Sequence, residues 1–205
     1  VLEPLMRLRP GARESGFTLI ELMVVVSIIA ILGILVGPSV MDMILKERLR
    51  GINAQLVTDM QFARAEAMRL GRIARVFFRA NSDQACYTIF YATGDGIVSN
   101  TNRCDCLNGA GTACTWSQAR ELKTVSVPVG SRVSLVPTLH AFGFDHVTGG
   151  LVTTPSDAGS VPLEQVAINA YVDENKRHLR TTIVQSGRPN VCTPSAATMQ
   201  VTACP

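Results

Sequence analysis

The polarity pattern divides the chain into three stretches with different periods. From Leu22 to Met41 there are 20 consecutive residues without a charge, which at about 1.5 Å per residue covers roughly the 30 Å hydrocarbon layer of a bilayer. A glutamate, Glu21, stands at the head of this run, with Gly16 and Phe17 just before it. Leu49, Ile52, Leu56, Met60, Ala63, Ala67 and Leu70 then recur at steps of three and four, while Lys46, Glu47, Arg50, Asp59, Arg64 and Arg69 fall elsewhere around the same helix. Gly71 is placed as a stop, so the pattern predicts one helix from about Phe17 to Leu70. Gly37 and Pro38 fall inside it. Proline removes a backbone hydrogen bond and clashes with the preceding turn, so a kink or a melted stretch is expected between Gly33 and Pro38.

Past Gly71 the period falls to two. ARVFFRA, ACYTIFYA, ELKTVSVPV, RVSLVP, QVAINAYV and HLRTTIVQS carry β-branched and aromatic residues, separated by the turn-like segments TGDG, HVTGG and DENKR. They read as antiparallel strands. QVAINAYV, DENKR and HLRTTIVQ form a hairpin with Val166, Ile168, Ala170 and Val172 on one face. A sheet must cover its apolar face, and the helical stripe from Leu49 to Leu70 is the only long element available to do so. The segment SNTNRCDCLNGAGTAC, poor in hydrophobic residues and rich in turn formers, reads as a surface loop ordered by its cysteines. The fold class expected is α+β. A long N-terminal helix, transmembrane in its first half and amphipathic in its second, packs on an antiparallel β-rich head.

Charge and cysteine content orient this plan. The net charge of +3 is modest, so no general basic field marks the chain as a nucleic-acid binder. Arg7, Arg9 and Arg13 precede the apolar run and bias that end toward the cytoplasm, with the head on the far side. The run is longer than the core of an ordinary secretory signal, and no A-x-A cleavage pattern follows it. All six cysteines, Cys86, Cys104, Cys106, Cys114, Cys192 and Cys204, lie on the outer side, where disulfides persist. There is no C-x-x-C pair. The C-x-C at Cys104 and Cys106 has no second pair or nearby histidine with zinc-ligand spacing, so structural disulfides are expected and no metal site. Cys192 and Cys204, isolated at the C-terminus, would close a compact loop; the other four would form two bridges of open connectivity. His140, His146 and His178 are scattered, and no nucleophile elbow, H-E-x-x-H or phosphate-cradling loop occurs. Asp95 sits in a glycine-flanked turn and reads as structural. Neither an enzyme nor a cofactor is expected.

The segment GFTLIELMVVVSIIAILGILVGPSV, residues 16–40, resembles the class III signal of type IV pilins and of the pseudopilins of type II secretion. In those proteins a dedicated peptidase cuts after the glycine and methylates the new N-terminus. Gly16, Phe17, Thr18, Leu19, Ile20, Glu21 and Leu22 all match, and Pro38 falls where many pilins carry a helix-breaking proline. The resemblance implies a leader, residues 1–16, removed by prepilin peptidase, and a transmembrane and filament-core helix, residues 17–41. An amphipathic continuation, 42–71, and a disulfide-bonded β-rich head, 72–205, follow. INAQLVTDMQFARAEAMRLGR, residues 52–72, is similar to the end of the long helix in the FimT/GspH family of minor pilins and pseudopilins, through Ala63, Arg64, Glu66, Ala67 and Gly71. SGRPNVC is similar to that family's "GR" turn followed by cysteine.

What the resemblance implies also gives Glu21 a role. A carboxylate near a helix N-terminus is favoured by the macrodipole, and cleavage creates an amine of opposite charge on Phe17. Glu21 would pair with the methylated Phe17 amine of a neighbouring subunit. The partners implied are prepilin peptidase, other pilins or pseudopilins, and the inner-membrane assembly platform. The chain would be a single-pass inner-membrane protein, N-terminus cytoplasmic and head periplasmic, before it enters a filament. The reading is a minor pilin that assembles into a type IV pilus and helps initiate it. The alternatives are a DNA-binding pilin for natural transformation and a minor pseudopilin of a type II secretion system. Some FimT-type pilins bind DNA through a "GRxR" loop; Gly187 and Arg188 match, but Pro189 and Asn190 follow and the second arginine is missing. Lys176, Arg177 and Arg180 in the preceding hairpin would add phosphate contacts that do not read bases.

Overall fold

The computed structural model describes residues 16–93, 104–153, 161–172, 177–194 and 201–204, with the backbone alone for residues 35–39. The chain divides into two compact units, Val1–Asp42 and Met43–Pro205. A single helix, α1 (Leu19–Leu70), contributes to both.

In the first unit every described side chain from Phe17 to Ile34 is exposed. Among the described residues, no helix is long and apolar enough to cross a membrane; the span expected from Leu22 to Met41 takes in residues 35–39. The helical backbone runs unbroken through Gly33 to Pro38, so the melted stretch considered from sequence does not form. A proline removes one rung of the ladder, and the helix continues on both sides of it. The Pro38 side chain lies outside the described residues.

The second unit begins with the remainder of α1. Leu45, Leu49, Leu56, Met60, Ala63 and Ala67 are buried along one stripe, with Ile52 partly so, as helical spacing requires. Gly71 ends the helix at φ +63°, and the Arg72 N–H donates to the Ala67 carbonyl at 3.2 Å. This six-to-one closure satisfies an orphan carbonyl and needs a residue at ease in the left-handed region.

Among the described residues, nine antiparallel strands follow in two sheets. β1 (Ala74–Ala80), β2 (Gln84–Ala92), β3 (Ala119–Pro128), β5 (Ala141–Phe144) and β6 (Leu151–Val152) form a five-stranded sheet ordered β3-β2-β1-β5-β6. β4 (Val133–Pro137), β7 (Gln165–Val172), β8 (Arg177–Val184) and β9 (Pro189–Cys192) form a four-stranded sheet ordered β4-β7-β8-β9. The period-two pattern sets the facing: Val166, Ile168, Ala170 and Val172 of β7 are all buried, and Val76 and Phe78 of β1 face Ile89 and Tyr87 of β2. Residues from both sheets and from the α1 stripe share one core.

Two polar groups of α1 enter that core. Asp59 is only 1 % exposed, although the helical pattern sets it off the apolar stripe. It accepts a hydrogen bond from the Tyr87 hydroxyl at 2.7 Å and is ion-paired with Lys123 at 2.6 Å. Burial first, and then the neighbouring Asp59 carboxylate, hold the Tyr87 phenol protonated at any ordinary pH. Asn53 accepts from the Thr181 hydroxyl of β8 at 2.9 Å. Asp59 ties α1 to the five-stranded sheet and Asn53 ties it to the four-stranded one.

The outer face of the five-stranded sheet carries a second apolar cluster of Phe77, Phe90, Ala92, Cys104, Ala113 and Ala119. The cysteine-rich segment after residue 103 supplies its cover, so this stretch is more than the surface loop expected from its composition. Cys86 of β2 is bonded to Cys106, and Cys104 to Cys114. Glu121 of β3 accepts the Gly111 and Ala113 N–H groups at 2.9 and 3.2 Å, and Asp105 caps the turn at Cys106–Asn108 through the Leu107 N–H. A short segment with few apolar side chains thus packs the Cys104–Cys114 disulfide with Phe77 and Phe90. At the C-terminus Cys192 of β9 is bonded to Cys204.

Candidate processing and assembly site

The residues that carry the N-terminal motif sit at the start of α1. Phe17 and Thr18 precede the helix, and Glu21 lies in its first turn. The Thr18 hydroxyl accepts the Glu21 N–H at 3.3 Å, and the Thr18 carbonyl accepts the Leu22 N–H at 3.2 Å. Thr18 is therefore the N-cap, and Thr18-Leu19-Ile20-Glu21 has the spacing of a capping box. Sequence reading passed over this signal, because the threonine was counted only as one letter of the motif. The cap orders the first turn and places Glu21 where the helix dipole favours a carboxylate. Gly16 and Phe17, the expected cleavage pair, are exposed; of the expected leader, residues 1–16, all but Gly16 lie outside the described residues.

The described DNA-binding candidates, Arg177, Arg180 and Arg188, do not gather. Arg177 is only 8 % exposed at the start of β8, in place of the solvated turn expected for it, because its position in register with Val172 of β7 belongs to the inward face. Arg180 is half-buried, and its Nε donates to the Asn169 Oδ1 at 3.0 Å; His178 Nε2 lies 3.0 Å from the same oxygen. Burial, and then the Arg180 charge, hold the His178 imidazole below its ordinary pKa. Arg188 is exposed in the turn after β8, beyond the far end of that strand from Arg177. Lys176 and Asp95 lie outside the described residues.

Arg188 has a different neighbour, Arg64 of α1. The Arg64 Nε donates to the Gly149 carbonyl in the β5–β6 turn at 3.0 Å. Gly187 has φ +74°, and a Cβ there would run into the Gly149 carbonyl oxygen and lie 3.1 Å from the Arg64 Nε. At Gly149, φ +65°, a Cβ would lie 2.8 Å from the same nitrogen. Two left-handed glycines from different sheets thus make room for one arginine side chain. The "AR" of the helix and the "GR" of the C-terminal turn meet here.

Comparison with known proteins adds one family match. The model for the prokaryotic N-terminal methylation motif matches residues 11–37. That match covers the N-terminal segment alone, the stretch whose residues resemble the type IV pilin signal. Among the described residues no group of side chains is arranged to hold a metal ion. No curated protein matches the chain. Its fold was also matched to crystal structures of the type IV minor pilin FimU of Pseudomonas aeruginosa strain PAO1. In one crystal form the identity is 16% over 77% of this chain and 93% of that chain, with a TM-score of 0.46. In a second form it is 15% over 76% and 98%, with a TM-score of 0.45.

Proposed function

We propose that the chain is a minor pilin of FimT/GspH type that assembles into a type IV pilus and helps initiate it. Prepilin peptidase cleaves between Gly16 and Phe17 and methylates the Phe17 amine. The mature protein waits in the inner membrane, N-terminus cytoplasmic and head periplasmic, until the assembly platform and neighbouring pilins draw it into the filament.

One observation carries this reading: from Phe17 to Ile34 every side chain of the methylation-motif segment is exposed, and apart from Thr18, Glu21 and Ser27 these residues are apolar. Such a surface is unstable in water and needs lipid or the helices of other subunits around it. Glu21 alone resists lipid, where an uncompensated charge costs at least about 2.5 kcal/mol. Pairing with the Phe17 amine of a neighbour relieves that cost and sets the register between subunits. The contact of Arg64 with Gly149 and Gly187 supports the FimT/GspH refinement, since it gives the helix motif and the C-terminal turn one shared structural task.

The DNA-receptor reading draws no comparable support. Arg177 is buried, Arg180 is engaged with Asn169, and Arg188 stands apart from both. A type II pseudopilus would use the same N-terminal chemistry, so it is separated from the pilus by which pilins co-purify with the chain. The test of the proposal is processing and incorporation. Replacement of Gly16 by a bulky residue should leave the precursor mass unchanged. Glu21→Ala should be processed and membrane-inserted yet scarce in sheared filaments, and normal incorporation would sink the assignment.

A further inference from the structure

Two clefts open side by side around the β8–β9 turn. The larger, about 660 Å³, is walled by Leu151, Val152 and Pro162 and contains Arg64, Arg188 and Asp145. The smaller, about 430 Å³, shares Arg64 and Arg188 and adds Ala65, Met68 and Pro189. Neither arginine has an ion-pair partner among the described residues. Arg64 is half-buried and held through its Nε by the Gly149 carbonyl, so its position is fixed before any ligand arrives. A fixed guanidinium suits a carboxylate, which it grips with two parallel hydrogen bonds at little entropic cost.

We propose that these clefts dock a carboxylate-bearing polypeptide segment, an acidic side chain held between Arg64 and Arg188 with an apolar neighbour against the exposed Pro162 or Met68. The occupant is an acidic peptide and not a nucleic-acid strand for two reasons. Among the described residues the cationic lining is compact, two guanidinium groups without the extended row of lysines and arginines that tracks a phosphate backbone. The larger cleft also contains Asp145, whose carboxylate accepts the Thr148 N–H at 2.8 Å, the Val147 N–H at 3.1 Å and the Thr148 hydroxyl at 3.0 Å. Those bonds, the Thr148 backbone N–H foremost, lower the pKa of Asp145 from its ordinary value and favour its ionised form. A permanent negative charge beside the arginines repels a polyanion, while one carboxylate seated on the arginine side is accommodated. Apolar walls next to the charge favour a side chain such as leucine beside the acid.

The inference does not depend on the filament reading, and its test is separate. The full mature chain, held in a non-ionic detergent, is titrated with an end-capped, fluorescently labelled Ser-Leu-Glu-Leu-Ser peptide, which carries a single carboxylate. The Ser-Leu-Gln-Leu-Ser counterpart, as the glutamine peptide, and a short labelled single-stranded oligonucleotide serve as comparisons. The acidic peptide should bind at least about tenfold more tightly than the glutamine peptide, and Arg188→Glu should remove most of that difference. Arg188→Lys should retain part of it, because lysine keeps the charge but loses the fork. Arg188 is exposed, so these variants leave the fold intact, and unchanged disulfide mapping checks that they do. Equal binding of the two peptides, indifference to Arg188→Glu, or absence of binding would each overturn the proposal. Tighter binding of the oligonucleotide, falling steeply with salt, would also overturn it and reassign the clefts to nucleic acid.

Discussion

The two ends of α1 have the same backbone and opposite surfaces. From Phe17 to Ile34 the described side chains are exposed on every side and almost all apolar; from Met43 to Leu70 burial follows one stripe and the other faces carry charges. A helix apolar all round finds its stability in lipid or among other helices, whereas a one-striped helix finds it within its own head. Substitutions in the two parts should therefore separate assembly from folding. Leu56→Ala, which empties a fully buried position, should destabilise the head by about 2–5 kcal/mol, read as a denaturation midpoint. Ile28→Ala, of like size, should leave that midpoint where it was. A head destabilised equally by both would break the distinction.

Below the core stripe in expected effect comes the covalent cover. Replacing Cys86 and Cys106 together by alanine frees the segment over Phe77 and Phe90 and should cost about 2–4 kcal/mol. The same pair of changes should increase binding of a dye that reports exposed apolar surface. Unchanged stability would mean that the cover forms without the bond. Smaller again is the loss expected at Asp59→Ala, about 1–3 kcal/mol, because the Tyr87 hydroxyl is left unsatisfied while Lys123 reaches solvent. Adding Tyr87→Phe should recover part of it, and a double-mutant cycle with no coupling would refute the hydrogen bond's role.

What could be read without the structure depended on how local the signal was. The long helix and the strands that became β1, β2, β3, β4, β7 and β8 carry enough alternating positions to declare their period. β5 and β9 are four residues long and β6 two, with Gly143 and Pro189 among them, so only their pairing makes them strands. Gly16, Phe17 and Glu21 were legible because the motif is contiguous. Asp59 was not, since a charge at that position reads as a solvent-facing residue until Tyr87 and Lys123 are brought to it. The seat of Arg64 between Gly149 and Gly187 joins residues 85 and more positions apart, a distance that no local pattern spans.

The smallest effect concerns pH. The His178 imidazole has a folded-state pKa below its ordinary 6.5, so the folded head binds fewer protons there than the unfolded chain does. Its contribution is fully present above about pH 6.5 and is lost as pH falls toward the folded pKa. An NMR titration should find the His178 ring titrating below 6.5, and His178→Gln should flatten the stability profile slightly in that range. A ring that titrates above 6.5 would reverse the sign.

The most direct test of the account compares wild type with Glu21→Ala in the cell that assembles the filament, by intact mass and by the amount of each recovered in sheared filaments. The account predicts identical processed masses beginning at a methylated Phe17, with the variant retained in the membrane and depleted at least about tenfold from filaments. A mature protein that does not begin at Phe17, or a Glu21→Ala variant that enters filaments as wild type does, would contradict it.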